Sequence, residues 1–440
     1  MGVISRISRA FKGFFREFRA TSVPINSDSF LNAFGWNKGL SGANVTRDTI
    51  LSIPPAFSAI RHISEYIAAM DWGIFGQQSD GDVIQDYTHD VGNFLSGRVS
   101  PNYTYFDAMQ ALVANALLGG GGALIIRDPA TMRPTRMEII PRELFSIQYD
   151  RNNELYYLIT GSVGNIAYTI AVPQQDFIHV KGLTFDGING QSITITHKET
   201  FAAGISAQEY TSSIYGNSAF IGGIVEYPNG LSATDRRKME ERITENYAGS
   251  AKAGGVMVLD AGAKFNKSQL SPIESGVIDF SKLNTTQVSQ IFKIPLHKLS
   301  NLDRSNFSNI EQQNFDYIKD CITPMCVKIQ QELSSKLFYE REKRNKRKFF
   351  RFDLEGALMG DMASQATFFS SMVQNGLMTP NEARKKLKLN KMDGGDTLFI
   401  QQNMAPMNDL ADLLMAKTGN QNATGTNSND NGTPQGQSGD

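Results

Sequence analysis

Cysteine is almost missing: Cys321 and Cys326 are the only two in 440 residues. They stand five apart in a stretch that reads as one helix, which separates their side chains by about 140° of rotation and keeps them from bridging easily. No set of further ligands accompanies them, so zinc is unsupported and a reducing compartment is the plain reading. Histidine is scarce as well. His62, His89, His179, His197 and His297 are scattered, with no pair at metal-ligand spacing. No run of about 18 consecutive apolar residues occurs, so no membrane-spanning helix is expected. Neither sign of charge dominates, with 43 Lys plus Arg against 44 Asp plus Glu. A protein that grips DNA phosphates over a broad surface carries a basic excess, so any contact with nucleic acid should be loose or confined to patches.

The usual marks of catalysis are also missing. The run Gly119–Gly122 follows a helical pattern and precedes a strand pattern. A phosphate cradle needs the reverse order, so that a helix N-terminus faces the anion. No Gly-Lys-Ser/Thr follows it, and no Gly-x-Ser-x-Gly elbow occurs anywhere. The run therefore reads as a flexible helix-to-strand joint. No catalytic residue, metal or cofactor is assigned, and the chain is not expected to be an enzyme.

What is present is a folded-protein composition, 40% apolar and 20% charged, in a chain long enough for two or three domains. Residues 1–20 place Ile4, Ile7, Phe11, Phe14, Phe15 and Phe18 on one helical face and Arg6, Arg9, Lys12, Arg16 and Arg19 on the other. Such a helix can lie on a membrane surface, dock on a partner or line an assembly. Residues 21–50 are polar and read as extended. Helical periodicity covers 54–72, then about 105–118 up to the glycines. Strand patterns follow at 123–126, 137–140, 145–149, 155–160, 166–172, 177–180 and 192–196. Helix is expected again at 198–217, a strand at 221–227, and a helix at 231–247 that Ser232 can cap. That helix has only a thin apolar stripe, Met239, Ile243 and Tyr247. Strands at 254–259 and 263–270 precede a helix over 277–293 that Pro295 ends. Ser308 and Glu311 stand at capping-box spacing at the start of a long helix of roughly 45 Å. Pro324 lies inside it and should distort it about one turn upstream. Helices at 357–374, after Thr379-Pro380, and at 407–416 complete the pattern, and 418–440 is too polar to order itself.

Two charge clusters stand out. The segment Arg341, Lys343, Arg344, Lys346, Arg347, Lys348 and Arg351 is the strongest basic run, either a solvated surface or a DNA-phosphate contact. Arg384, Lys385 and Lys386 sit at a helix C-terminus, where positive charge is favourable in any case.

The order of these features resembles portal proteins of tailed bacteriophages, of the long non-contractile-tail type. The carriers are Ile291-Phe292-Lys293-Ile294-Pro295, the polar loop Leu299 to Asn306, and Phe307-Ser308-Asn309-Ile310-Glu311-Gln312 opening a long helix with an internal proline. Asn375 to Arg384, Gly394-Gly395-Asp396, and the looser Ala251 to Leu259 are similar to further family segments. The resemblance implies an α+β portal fold with wing, stem, clip and crown regions, assembling as a ring of about twelve subunits. On that pattern 21–196 is wing, with its β-rich part 137–196 assignable to wing or clip. Stem helices are 197–217 and 273–295, the clip is 218–272, the tunnel loop 296–307, and 308–352 a long kinked helix returning to the wing. The crown is 353–417, followed by a disordered tail, 418–440; the basic segment 1–20 has no counterpart in the pattern.

The implied function is a conduit for DNA packaging and ejection at one capsid vertex of the virion, assembled in the host cytoplasm. The implied partners are double-stranded DNA passing non-specifically, terminase, a head–tail connector or adaptor protein, and the major capsid and scaffold proteins. Lys298, Asn301, Asp303, Arg304 and Asn306 would face DNA in the tunnel loop. Arg236, Arg237, Glu240, Glu241 and Arg242 would form the clip docking surface. Two rival readings remain: a peripheral membrane protein using residues 1–20, and the packaging ATPase itself, against which the missing Walker motif weighs.

Overall fold

The computed structural model describes residues 38–78, 82–163, 166–216, 223–226, 232–247, 264–267, 277–299, 307–345, 347–354, 362–387 and 389–399. The segment 1–20, the strand expected at 254–259, the helix expected at 407–416 and the tail 418–440 lie outside them. The chain divides into two compact units, Met1–Leu358 and Met359–Asp440.

The first unit opens with α1 (Arg47–Leu51) and α2 (Pro54–Ala68), then β1 (Trp72–Gln77), β2 (Val83–Gln85), α3 (Asp90–Leu95) and α4 (Tyr105–Leu118). Six strands follow: β3 (Gly121–Arg127), β4 (Pro134–Ile140), β5 (Phe145–Tyr149), β6 (Leu155–Val163), β7 (Ile166–Pro173) and β8 (Phe177–Val180). After them come α5 (Ile193–Thr196), α6 (Lys198–Gly216), β9 (Gly223–Glu226), α7 (Ala233–Tyr247), β10 (Lys264–Lys267) and α8 (Val277–Phe292). The unit closes with α9 (Phe307–Tyr317), a π-helical turn (Ile318–Ile322), α10 (Thr323–Leu337), α11 (Glu340–Asn345) and β11 (Lys348–Phe352). The second unit contains α12 (Met362–Gln374) and α13 (Pro380–Lys386). Helices and antiparallel sheets are mixed in the first unit, as the α+β expectation requires.

Among the described residues, four antiparallel sheets have the orders β11-β1-β2, β4-β3-β8, β5-β6-β7 and β10-β9. Strand β3 is the hinge of the core. Its run Gly-Gly-Ala-Leu-Ile-Ile is buried at every position because the sheet is covered on both sides. Ala123 and Ile125 join the large core built on α2, α4, α8 and α10, while Leu124 and Ile126 join a smaller one with Phe145, Tyr157, Ile159, Val172 and Phe177. Period-two geometry makes one strand serve two cores.

The glycine joint differs from the flexible linker expected. Gly119 and Gly120 do turn the chain with φ of 149° and 150°, but Gly121 and Gly122 are strand residues. A Cβ on Gly121 would stand 2.2 Å from the Leu112 carbonyl oxygen, and one on Gly122 2.5 Å from the Phe177 ring. Close packing, not flexibility, requires glycine there.

Three further expectations are corrected. The first helix ends at Ala68, not 72, because Trp72 onward pairs with Phe352 and its neighbours, nearly 280 residues later in the chain. Residues 193–196, all β-branched, form the short helix α5 and not a strand. Ser192 holds that turn by accepting backbone bonds from Ile195 and Thr196 while its hydroxyl caps the Leu118 carbonyl. Within the stretch read as extended, α1 forms on a Thr46–Thr49 capping box.

Candidate functional site

The stretch joining α8 to α9 carries the sequence features that matter most. Helix α8 closes in a Schellman motif: the Ile294 N–H reaches the Ser289 carbonyl at 3.0 Å and the Lys293 N–H the Gln290 carbonyl at 3.4 Å. Lys293 takes the left-handed position, φ 54°, where glycine is customary. That conformation costs a non-glycine residue on the order of 1 kcal/mol, which the buried Ile294 side chain offsets. The Ser289 hydroxyl adds a bond to the Ile294 carbonyl at 2.6 Å. Pro295 then starts a 3₁₀ turn, Leu296–Leu299.

That turn is pinned at three points. Leu299 is buried. The His297 imidazole lies between Gln313 and Asn314 of α9, at 3.0 and 3.1 Å. The Lys298 ammonium stands over the Tyr317 ring, 6.0 Å from its centroid, while Tyr317 meets Tyr66 edge-on at 6.2 Å. Of the expected tunnel-loop residues, Lys298 is therefore held against the body of the fold. Asn301, Asp303, Arg304 and Asn306 lie outside the described residues. Helix α9 already begins at Phe307, so Ser308 sits in its first turn and not at the cap position.

Downstream, the distortion expected from Pro324 takes the form of the π-helical turn Ile318–Ile322. Proline has no N–H and its ring collides with the carbonyl four residues back, and widening the helix by one residue relieves both defects. The Thr323 hydroxyl donates to the Ile318 carbonyl at 2.9 Å. Cys321 and Cys326 are free thiols, both pushed up to about 12 by burial, so neither reacts readily at neutral pH. A wide cleft of about 540 Å³ opens beside this turn, lined by Lys293, Pro295, Asp316, Tyr317, Lys319 and Asp320 among others. Its two lysines face two aspartates, a balance that gives a polyanion no strong hold.

Helix α7 carries the expected docking residues. Ser232 accepts from the Asp235 N–H at 3.2 Å, so the cap forms as read. Arg236, Arg237, Glu240, Glu241 and Arg242 are all exposed, and Met239 is half-buried. Arg237 and Glu241 form an i,i+4 pair at 3.2 Å.

The basic segment is not assembled as one free face. Lys343 donates to Glu340 at 2.7 Å and to the Ser335 carbonyl at 2.6 Å, and Arg344 lies 3.9 Å from Glu340. Arg347 donates to Gln77 at 2.7 Å, and Lys348 to Asp86 at 2.6 Å, where it holds the Asp86 carboxyl down at about 2. Arg341 and Arg344 are exposed, and Lys346 lies outside the described residues. Phe349 and Phe350 are strand residues of β11, the first half-buried and the second buried.

Sequence reasoning missed one anchor, Arg127 at the end of β3. Its guanidinium pairs with Asp176 at 2.7 Å and also donates to the carbonyls of Met132, Gln175 and Lys336. It ties β3 to the end of α10, and nothing local in the sequence marks it. Among the described residues, no group of three His, Cys, Asp or Glu is placed to hold a metal ion, and no helix is long and apolar enough to cross a membrane.

Residues 54–387 match the family model described as phage portal protein. The probable portal protein of Streptomyces phage phiC31 is 24% identical over 363 residues, spanning 78% of this chain and 76% of that one. The portal protein of Enterobacteria phage HK97 is 22% identical over 386 residues, spanning 84% and 87%. Among solved structures, a subunit in the neck of a native gene transfer agent particle, computed with C12 symmetry, superposes with a TM-score of 0.53 at 16% identity, covering 84% of this chain and all of that one. An HK97-family phage portal protein from Corynebacterium diphtheriae gives a TM-score of 0.51 at 15% identity, covering 71% and 96%.

Proposed function

The chain belongs to the phage portal protein family, and from that membership we propose that it forms a closed ring of twelve copies at one capsid vertex of the virion, through which DNA enters and leaves. The match over 54–387 carries this reading, because it spans both helices that flank the tunnel-loop stretch and the π turn that follows α9. The twelvefold count rests on the C12 neck whose subunit shares the fold. The ring performs no chemistry of its own: it holds a passage open while a separate motor does work.

In this reading α6 and α8 form the stem, the segment 218–272 the clip, 21–196 with 308–352 the wing, and 353–417 the crown. Residues 296–307 form the tunnel loop, its leading end anchored by the Schellman turn and by His297, and the residues that follow meet DNA. Near-neutral charge suits the task, since tight phosphate binding would stall a sliding duplex. The exposed face of α7 with Arg236, Arg237, Glu240, Glu241 and Arg242 is the surface on which terminase docks first, and a head–tail connector later. Assembly takes place in the host cytoplasm beside the major capsid and scaffold proteins.

Negative-stain electron microscopy with mass photometry on the purified chain tests the proposal. Rings of about twelve subunits with a central hole are the expected result. Monomers or dimers at every concentration, with or without capsid and scaffold proteins, would sink it.

A further inference from the structure

Away from the tunnel-loop stretch, a second and more enclosed cavity of about 250 Å³ lies where α4 ends. Five segments wall it: Arg47 of α1, Asn115 and Gly119 at the end of α4, Arg142 and Glu143 before β5, Asn189 to Ser192, and Thr194 of α5. At roughly 30 Å³ per water molecule, the space is several times larger than one water needs.

Two observations point to a ligand. Asn115 is only 5% exposed, yet its Oδ1 has no hydrogen-bond partner. An amide oxygen buried without a partner is unfavourable unless a donor reaches it. Arg142 is the second. Its Nη1 donates to the Phe145 carbonyl at 2.7 Å and its guanidinium stacks on the Phe145 ring at 4.8 Å. Among the described residues no carboxylate lies within ion-pair distance of it. A guanidinium has five donors, so the bond to the Phe145 carbonyl leaves capacity for a ligand in the cavity that Arg142 lines. Glu143 is the single acid in the wall and sits 3.7 Å from Arg47, which leaves the lining with two cations and one anion.

The carbonyl end of α4 would oppose an anion, but its last groups are already engaged. The Leu118 carbonyl accepts from Ser192 at 3.0 Å, and the Asn115 carbonyl accepts from the Gly120 N–H at 3.0 Å. Glycine is required at the narrow point, because a Cβ on Gly190 would stand 2.9 Å from the Gly119 carbonyl oxygen.

We propose that this cavity binds an oxyanion of the phosphate class, its oxygens held by Arg142 and Arg47 and its hydroxyl donated to Asn115 Oδ1. The bound ion joins stretches that are far apart in sequence, from Arg47 to Thr194, and locks the end of α4 against the stretch 189–194. The phosphate group can come from free phosphate or from a nucleotide monoester.

Thermal unfolding of the full chain, read with inorganic phosphate against chloride at matched ionic strength, tests this. The expected result is a phosphate-dependent rise in Tm, with binding about tenfold weaker in Arg142→Gln, which loses the charged donors. Should Arg142→Gln fail to fold, Arg47→Gln and Asn115→Asp decide the matter: the first removes a cation and the second places a like charge beside the ion. Competition by thymidine 5′-monophosphate assigns the site to monoesters, and its absence assigns it to the free ion. No phosphate effect beyond chloride, or the same effect in wild type and in the folding variants, overturns the proposal.

Discussion

Helices α4 and α7 have nearly the same length and begin alike, yet they live in opposite surroundings. Thr104 caps α4 and Ser232 caps α7, each with an aspartate at the third helical position. From there they diverge. Helix α4 buries Tyr105, Ala108, Met109, Leu112, Val113, Ala116 and Leu118 against α2 and β3. In α7 every described side chain from Ala233 to Arg242 is exposed except Met239, which is half-buried. Capping chemistry decides where a helix starts, and the apolar stripe decides whether its own chain can hold it. On the proposed function, α7 would take its support from neighbouring subunits.

The largest test of that contrast is a cavity in α4. Leu112→Ala should cost about 2–5 kcal/mol, read as a lower urea midpoint, because Leu112 is fully buried. Met239→Ala in α7 should cost under about 1 kcal/mol in the same assay. Equal losses would erase the distinction.

Next in size is acid sensitivity. His179 is buried against Phe145 and Tyr157, and desolvation holds its imidazole down at about 3. The folded state keeps the ring neutral while the unfolded chain takes up a proton near 6.5. Stability is therefore complete above pH 6.5 and is lost as pH falls towards 3, by an amount on the order of a few kcal/mol. His179→Gln should flatten the difference between pH 7 and pH 4; an unchanged slope would place the sensitivity elsewhere.

Smaller again are the caps. Thr104→Ala should lower global stability by about 1 kcal/mol. Ser232→Ala should leave the global midpoint unchanged and speed amide exchange only within α7. The smallest effect belongs to the exposed Arg237–Glu241 pair, whose side chains are 81% and 60% exposed. Arg237→Ala should shift the urea midpoint by no more than a surface pair commands, well under about 1 kcal/mol. A larger shift would mean α7 packs on its own chain after all.

Much of this was legible in the residues, and the failures have a common cause. Helix α4 was read with both ends correct, because a periodic apolar face runs into glycines that cannot continue it. A distortion about one turn before Pro324 follows from that proline, but its π-helical form does not. Strand β1 leaves no pattern of its own, and only its first residue, Trp72, reads as the end of the preceding helix, because its partner β11 lies nearly 280 residues away. Helix α5 was read as strand because four β-branched residues favour extension, and only the contact of Ser192 with the end of α4 overrides them. The site shows the same limit. The flanks of the tunnel-loop stretch are marked by Pro295 and Phe307-Ser308, but Lys298 over Tyr317 and Lys348 on Asp86 depend on contacts that sequence spacing does not encode.

Hydrogen–deuterium exchange on the monomeric and ring fractions of the purified chain tests most directly whether this is a subunit completed by its neighbours. Amides of α4 should be protected in both fractions, and those of α7 only in the ring. Protection of α7 in the monomer equal to that in the ring would contradict it.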